Sequence, residues 1–291
     1  LFNGENLEGW RNTGLPDAFK AEDDEIVGTF KAGSGAFLIT EAHYSDFILE
    51  YDMFLEVEGL NSGVQIRSHV KKGCDACVYG MQVECDGKER KWTGGIYDQN
   101  RHDWLYPLEY NQAAKEYFTI GKWAHFRVEA VGNRIRTFIN GQPVADLISE
   151  FDTEGFIGLQ VHSISKKGNR EGKTVRWKNL RIDTSRVQNK MLPETGIRQV
   201  SYLNNELTDY EIRNGWNLLW DGKTDSGWRT ASGNSLMEAG WKASDGAFSI
   251  QPVSSEMNKP EDILTTNKYR NYIFEIDFLI SEGANSGIHY N

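Results

Sequence analysis

Residues 79–86 read Tyr-Gly-Met-Gln-Val-Glu-Cys-Asp. Apolar and polar side chains alternate at every step, and a period of two belongs to a half-buried strand, not to a helix. The same pattern fills residues 47–57, where Phe47, Leu49, Tyr51, Met53 and Leu55 share one side, and residues 61–70, where Val64 and Ile66 oppose Gln65 and Arg67. Shorter strands are expected at 36–40, 94–97, 122–131, 133–139, 142–147, 155–163 and 174–182. Gly132-Asn133 and Asn140-Gly141 read as hairpin turns. Residues 98–118 read as an irregular, aromatic-rich loop. Many antiparallel strands, tight turns and almost no helix require two packed sheets, a sandwich or jelly roll.

Three blocks recur in order. Leu1-Phe2-Asn3-Gly4, continuing to Gly9-Trp10-Arg11, matches Leu219-Trp220-Asp221-Gly222, continuing to Gly227-Trp228-Arg229. Residues 46–52 match 271–277, and Asn61-Ser62-Gly63 matches Asn285-Ser286-Gly287. The period is too long for solenoid units, so the expected organisation is two domains of one type in tandem. The first covers 1–184, a linker covers 185–215, and 216–291 begins the second. Within the linker, Thr208-Asp209-Tyr210-Glu211 is a capping-box sequence and Gly215 a C-cap, which predicts a short helix at 209–214. Six residues follow Asn285. Half a sandwich leaves strand edges and a core face open, so the second copy is expected to be incomplete here. The chain also opens on a strand end without Met or a signal sequence, and an earlier segment is expected to be missing. Asn-Ser-Gly itself is expected to be the turn that launches each strand. In the second copy Gln65 and Arg67 become His289 and Asn291, which puts that copy's activity in doubt.

A formal charge of −10 and a pI near 5.2 argue against nucleic acid and anionic membrane as partners. No apolar run is long enough to form a spanning helix. Of three cysteines, Cys85 falls on the core side of its strand. Cys74-Asp75-Ala76-Cys77 has the spacing of half a zinc site or a redox pair, but no second half exists. A local disulfide is the better reading if the protein is exported.

Three strands carry polar side chains on one face: Gln65 and Arg67; Gln82, Glu84 and Asp86; Gln160 and His162. The set holds amides, one guanidinium, carboxylates and an imidazole, and amides and Arg make directional bonds to hydroxyls and carbonyls. Brought together they form a concave sugar site; kept apart they are solvated sheet faces. Trp104, with Tyr106 and His102, forms either a stacking wall for a sugar ring or a loop packed on itself. Glu84 and Asp86, two residues apart on a strand, have Cα atoms roughly 7 Å apart, a spacing that overlaps the inverting-glycosidase range. Glu50 and Asp52 read as a solvated pair.

The ordered motifs Asn61-Ser62-Gly63, Tyr79-Gly80-Met81-Gln82-Val83-Glu84, Thr93-Gly94-Gly95-Ile96-Tyr97, Gly121-Lys122-Trp123, Ile139-Asn140-Gly141, Gly158-Leu159-Gln160-Val161-His162 and Lys178-Asn179-Leu180-Arg181-Ile182 resemble the 3-keto-disaccharide hydrolase family. The resemblance spans nearly all of residues 1–183. It implies a concanavalin-like jelly roll, a bacterial exported protein of the periplasm or cell surface, and a sugar or glycoside substrate, especially one oxidised at C3. A 3-keto group acidifies the C2 proton. Glu84 or His162 then serves as base or acid, and Arg67 holds the developing charge. Gln65, Gln82, Asp86, Gln160, Tyr97 and Trp104 complete the expected substrate contacts. No cofactor is assigned; a divalent cation on Glu84, Asp86 and His162 is the alternative electrophile. The competing class is a non-catalytic, lectin-like carbohydrate-binding module. Convergence of Arg67, Glu84 and His162 within about 8 Å would favour the enzyme.

Overall fold

The alternating stretches pair as strands. A computed structural model of the chain describes residues 1–33, 35–166, 169–233, 235–250 and 260–290. Contacts divide it into two units, Leu1–Leu203 and Asn204–Asn291.

The first unit runs through β1 (Trp10–Gly14), β2 (Phe19–Glu22), β3 (Glu25–Thr29), β4 (Ala36–Thr40), β5 (Phe47–Leu55), β6 (Asn61–Val70), β7 (Val78–Asp86), β8 (Ile96–Gln99), β9 (Asp103–Tyr106), β10 (Ala124–Val131), β11 (Arg134–Ile139), β12 (Gln142–Ile148), β13 (Phe156–Val161), β14 (Thr174–Asp183) and β15 (Val200–Ser201). One sheet is ordered β1-β4-β13-β6-β7-β8-β9 and the other β15-β12-β11-β10-β5-β14-β3-β2. Among the described residues, every pairing of these strands is antiparallel except β15 on β12. This is the expected concanavalin-like jelly-roll sandwich. Val64, Ile66, Met81, Val83, Cys85, Leu159 and Val161 of the first sheet meet Leu49, Tyr51, Met53, Phe126, Val128 and Trp177 of the second in a dry core. Each large side chain so buried contributes about 1.5–3 kcal/mol. Cys74 and Cys77 form a disulfide in the β6–β7 loop.

The outer face of the second sheet is charged and paired. Glu50 bonds Arg127 and Arg181, and Asp52 bonds His125. Residues 185–203, expected as linker, instead belong to this unit. Arg127 donates to the Lys190 carbonyl, Arg136 to the carbonyls of Leu192 and Pro193, and Arg134 pairs with Glu194, while β15 extends the sheet. Arginine-to-carbonyl bonds need no hydrophobic period, so this attachment leaves no trace in the alternation.

Two expectations about β6 are corrected. The chain turns at Gly59, in the left-handed region at φ +75°, whose amide donates to the Gly87 carbonyl. Asn61 already pairs with Asp86, so Asn-Ser-Gly lies within the strand and is not the turn. At the other end of β6 the pairing slips between Ile66 and His69, and Arg67 sits at φ +47°. This bulge breaks the alternation. Arg67 therefore leaves the face of Gln65, is fully buried, and donates to the carbonyls of Ser45 and Gly132, both at 2.7 Å, and to Asp46 at 3.2 Å. It ties β6 to the β10–β11 turn of the opposite sheet.

In the second unit, α1 (Asp209–Arg213) forms with the reciprocal Thr208–Glu211 capping box. β16 (Trp228–Thr230) pairs with β19 (Ile263–Thr265), and β17 (Trp241–Ser244) with β18 (Ala247–Ile250). Matching local bonds recur: Trp10 Nε1 donates to the Leu1 carbonyl at 3.2 Å, and Trp228 Nε1 to that of Leu219 at 2.8 Å. Asn3 accepts from the Glu5 and Asn6 amides as Asp221 does from Lys223 and Thr224. The strands expected at 271–277 and after Asn285 do not form among the described residues. In the first unit β5 lies between β10 and β14, and β6 between β13 and β7; the described residues 271–290 pair with no such flanking strands. Asn291, set against Arg67, lies outside the described residues.

Arg67→Leu is expected to lower the unfolding free energy by about 3–5 kcal/mol, because buried carbonyls and Asp46 lose their cation. Urea denaturation measures this. Unchanged stability with lost turnover would return Arg67 to the site.

Candidate active site

Glycines on the outer face of the first sheet make room for glutamines. In register, Gly158 opposes Gln65, Gln65 opposes Gln82, and Gln82 opposes Tyr97; one step along, Gln160 opposes Gly63 and Gly63 opposes Glu84. A Cβ on Gly63 would lie 2.6 Å from Gln82 Cδ, and one on Gly158 3.3 Å from Gln65 Cβ. The glutamines fold into these spaces and are almost completely buried, although they face away from the core. Buried amides must find partners. Ser68 Oγ donates to Gln65 Oε1 at 2.7 Å, Gln65 Nε2 to Gln82 Oε1 at 2.8 Å, and Gln82 Nε2 to Glu84 Oε2 at 2.8 Å. Asn61 Nδ2 donates to the other Glu84 oxygen. Beside this row, Gln160 Nε2 donates to Gln99 Oε1 at 3.3 Å, and Gln160 Oε1 is buried without a donor among the described residues.

Glu84 is 3% exposed. Burial pushes its carboxyl up to about 7; the Gln82 and Asn61 donors oppose this, Asp86 adds to it, and Arg90 opposes it. Asp86 is occupied by the loop after β7, accepting from Arg90 Nε at 2.6 Å and from the Lys88 and Trp92 amides at 3.3 Å each. Arg90 lies over two indoles, 5.0 Å from the Trp92 ring centre and 4.7 Å from that of Trp104. Trp92 and Trp104 meet edge to face at 4.7 Å, and Tyr97 packs 5.3 Å from Trp104. Tyr97 donates to Asp103 at 2.8 Å, and its hydroxyl is raised to about 12 by burial and by that bond. Arg90 uses its Nε; no bond forms from its η nitrogens among the described residues.

The structure therefore gathers Gln65, Gln82, Glu84, Asp86 and Gln160 on one face, with Tyr97 and Trp104 as a wall. Arg67 is elsewhere. His162 lies one residue past β13 on Gln160's side; the register, continued, brings it opposite Asn61. It is exposed, with Nδ1 on the Ser163 carbonyl at 2.9 Å. His102 bonds Asp98 and stacks on Phe151, while Tyr106 is buried and bonds the Arg198 carbonyl, so neither joins the wall. Glu84, Asp86 and His162 do not gather as a cation site; among the described residues no group of three His, Cys, Asp or Glu does. Asn61, Ser68, Arg90, Trp92 and Gln99 escaped sequence reasoning. Asn61 had a signal, since it shares strand parity with Gly63 and Gln65. Arg90 had none, because a loop has no period. A depression of about 240 Å³ also lies on the other sheet's outer face around Glu50, Arg127 and Arg181, but its charges pair with one another.

The family model of the 3-keto-alpha-glucoside-1,2-lyase-like domain matches residues 1–183 and 215–291. The chain belongs to this family. A 79-residue stretch is 29% identical to the 3-keto-disaccharide hydrolase of Bacteroides thetaiotaomicron, covering 26% of this chain and about a quarter (27%) of that protein. Among solved structures, a Parabacteroides distasonis protein assigned to the glycosyl hydrolases is 17% identical with a TM-score of 0.47, over 63% of this chain and 92% of that one. A carbohydrate-binding module of Bacillus subtilis is 18% identical with a TM-score of 0.42, over 60% of this chain and 95% of the module. Among the described residues of this lyase-like domain no helix is long and apolar enough to cross a membrane.

Glu84 ties stability to pH. Its folded carboxyl titrates near 7 against an ordinary 4.5, so between these values the folded state holds more protons than the unfolded one, and stability falls as pH rises. The penalty is absent below about 4.5 and complete above about 7. Glu84→Gln should therefore gain on the order of 3 kcal/mol over the parent between pH 4 and pH 8, read from paired denaturation curves. Parallel pH dependences would refute the raised value.

Proposed function

We propose that the first unit cleaves glycosides oxidised at C3, with Glu84 as the base. The observation that carries this reading is a buried carboxylate that changes charge near neutrality, set beside an aromatic wall holding a cation. A base tuned close to working pH is most effective at proton abstraction. In the proposed step Glu84 takes the C2 proton, and the C2–H electron pair forms the enolate of the C3 ketone. Arg90, in place of Arg67, holds that oxyanion through its η nitrogens. The enolate collapses to a C1=C2 double bond and expels the C1 oxygen, which His162 protonates. Water then adds across C1=C2, its hydroxyl to C1 and its proton to C2, while Glu84 releases the abstracted proton to solvent and His162 takes one back; the net change is hydrolysis, and no oxidant is consumed. Trp104, Trp92 and Tyr97 offer flat apolar surface to a sugar ring.

Two further readings belong to this proposal. The Cys74–Cys77 disulfide supports an exported protein, since such bonds persist in oxidising compartments. The matching Trp10 and Trp228 bonds support a second copy of the domain beginning in the second unit. A lectin-like binding module remains the second reading, favoured by the burial of Glu84 beneath its amide partners.

Incubation with a 3-keto-glucoside and the plain glucoside separates the two. The enzyme reading expects aglycone from the keto compound alone, with kcat/KM rising with pH as Glu84 loses its proton near 7. Glu84→Gln should cost about 10²–10⁴-fold, and Arg90→Met about 10²–10³-fold. Sugar binding with no release from either compound would leave the binding module.

A further inference from the structure

The amide row that ends on Glu84 has a direction, and its far end is not at the site. We infer that Ser68 is a positioning residue: by donating to Gln65 it orients two successive amides so that Gln82 presents its NH₂, and not its carbonyl, to Glu84. This rests on Glu84 being the base.

The geometry carries the inference. Each amide in the row has one correct orientation once its neighbour is set. Ser68 Oγ lies 2.7 Å from Gln65 Oε1 and 3.1 Å from the carbonyls of Ile66 and Met81. A hydroxyl carries one proton and can also accept; its donation to Gln65 Oε1, the shortest contact, is the direction that agrees with Gln82 Nε2 meeting the Glu84 carboxylate, which can only accept. With Gln65 Oε1 satisfied, Gln65 Nε2 faces Gln82 Oε1, and Gln82 Nε2 faces Glu84. All four side chains are buried, so water cannot substitute for a misdirected partner. Gly80 and Gly63 hold the row in place: a Cβ on Gly80 would lie 2.7 Å from Ser68 Oγ, and one on Gly63 2.6 Å from Gln82. Ser68 is itself fully buried, so its effect on the reaction passes through Gln65 and Gln82.

A fixed NH₂ favours the carboxylate and disfavours the acid. If the row is cut, Gln82 is free to turn with Glu84's charge and to accept from the protonated form. Glu84 then holds its proton to higher pH. The other charged or titratable groups around Glu84 are Asp86 and the core-side Cys85 on β7, Arg90 on the following loop, Tyr97 on β8 and His162 beyond β13. β6 contributes only the uncharged Asn61 and Gln65. None of these is altered by a change at Ser68.

The test compares the parent full chain with Ser68→Ala and Gln65→Met. Glu84 ionisation is followed by ¹³C-carboxyl NMR, and kcat and KM are followed against pH on a 3-keto-glucoside. For both variants the Glu84 midpoint should rise by roughly half to one pH unit, which lowers kcat at pH 6 about 3–10-fold below that of the parent at the same pH. For Ser68→Ala, KM should be unchanged. In the unmutated protein the side-chain ¹⁵N signals of Gln65 and Gln82 should shift with the same midpoint as Glu84, which needs no variant to fold. A midpoint that moves while the rate does not follow it supports the positioning role and removes Glu84 as base. A folded Ser68→Ala with an unmoved Glu84 midpoint, or Gln82 signals that ignore Glu84's ionisation, overturns the inference.

Discussion

A carboxylate taken out of water must be neutralised or hydrogen-bonded, and the outer face of the first sheet is arranged around that requirement at Glu84. Gly63 leaves the space into which Gln82 folds, and Gln82 and Asn61 supply one donor to each oxygen. The donors do not fully compensate burial, and the remainder keeps the proton available near neutral pH. Asn61, Ser62 and Gly63 thus gain separate physical roles: a donor to Glu84, a hydroxyl bonded to the Gln160 carbonyl at 2.6 Å, and a vacancy for Gln82.

Much of this was legible in the chain because alternation is a direct consequence of strand geometry. It assigned Val64 and Ile66 to the core, and Gln65, Gln82, Glu84 and Gln160 to one outer face, without reference to any neighbour. It failed where the backbone departed from that geometry. The bulge after Ile66 rotates Arg67 into the seam between the sheets, where a guanidinium satisfies carbonyls that no short side chain could reach. Asn-Ser-Gly reads as a turn because those residues tolerate turns; Gly59 makes it two positions earlier, leaving the tripeptide extended.

Other parts were illegible for a different reason. Arg90 acquires its place from Trp92, Trp104 and Asp86, which lie on a loop, a later strand and the end of β7. Pairings of that kind depend on three-dimensional neighbours and leave no period. The attachment of residues 185–203 to the second sheet is similar, since it rests on arginines bonding main-chain carbonyls. The family resemblance, by contrast, was carried by short glycine-containing motifs, and several of their glycines are those the amide layer requires.

Removal of the C2 proton of a 3-keto-glycoside by Glu84 can be followed in the cleavage of a substrate deuterated at C2, with the fate of the label read by NMR in the earliest product. Proton abstraction by Glu84 predicts loss of the deuterium to solvent in step with aglycone release, and loss of both in Glu84→Gln. Aglycone release with the C2 deuterium retained would contradict the account and point to direct displacement at C1.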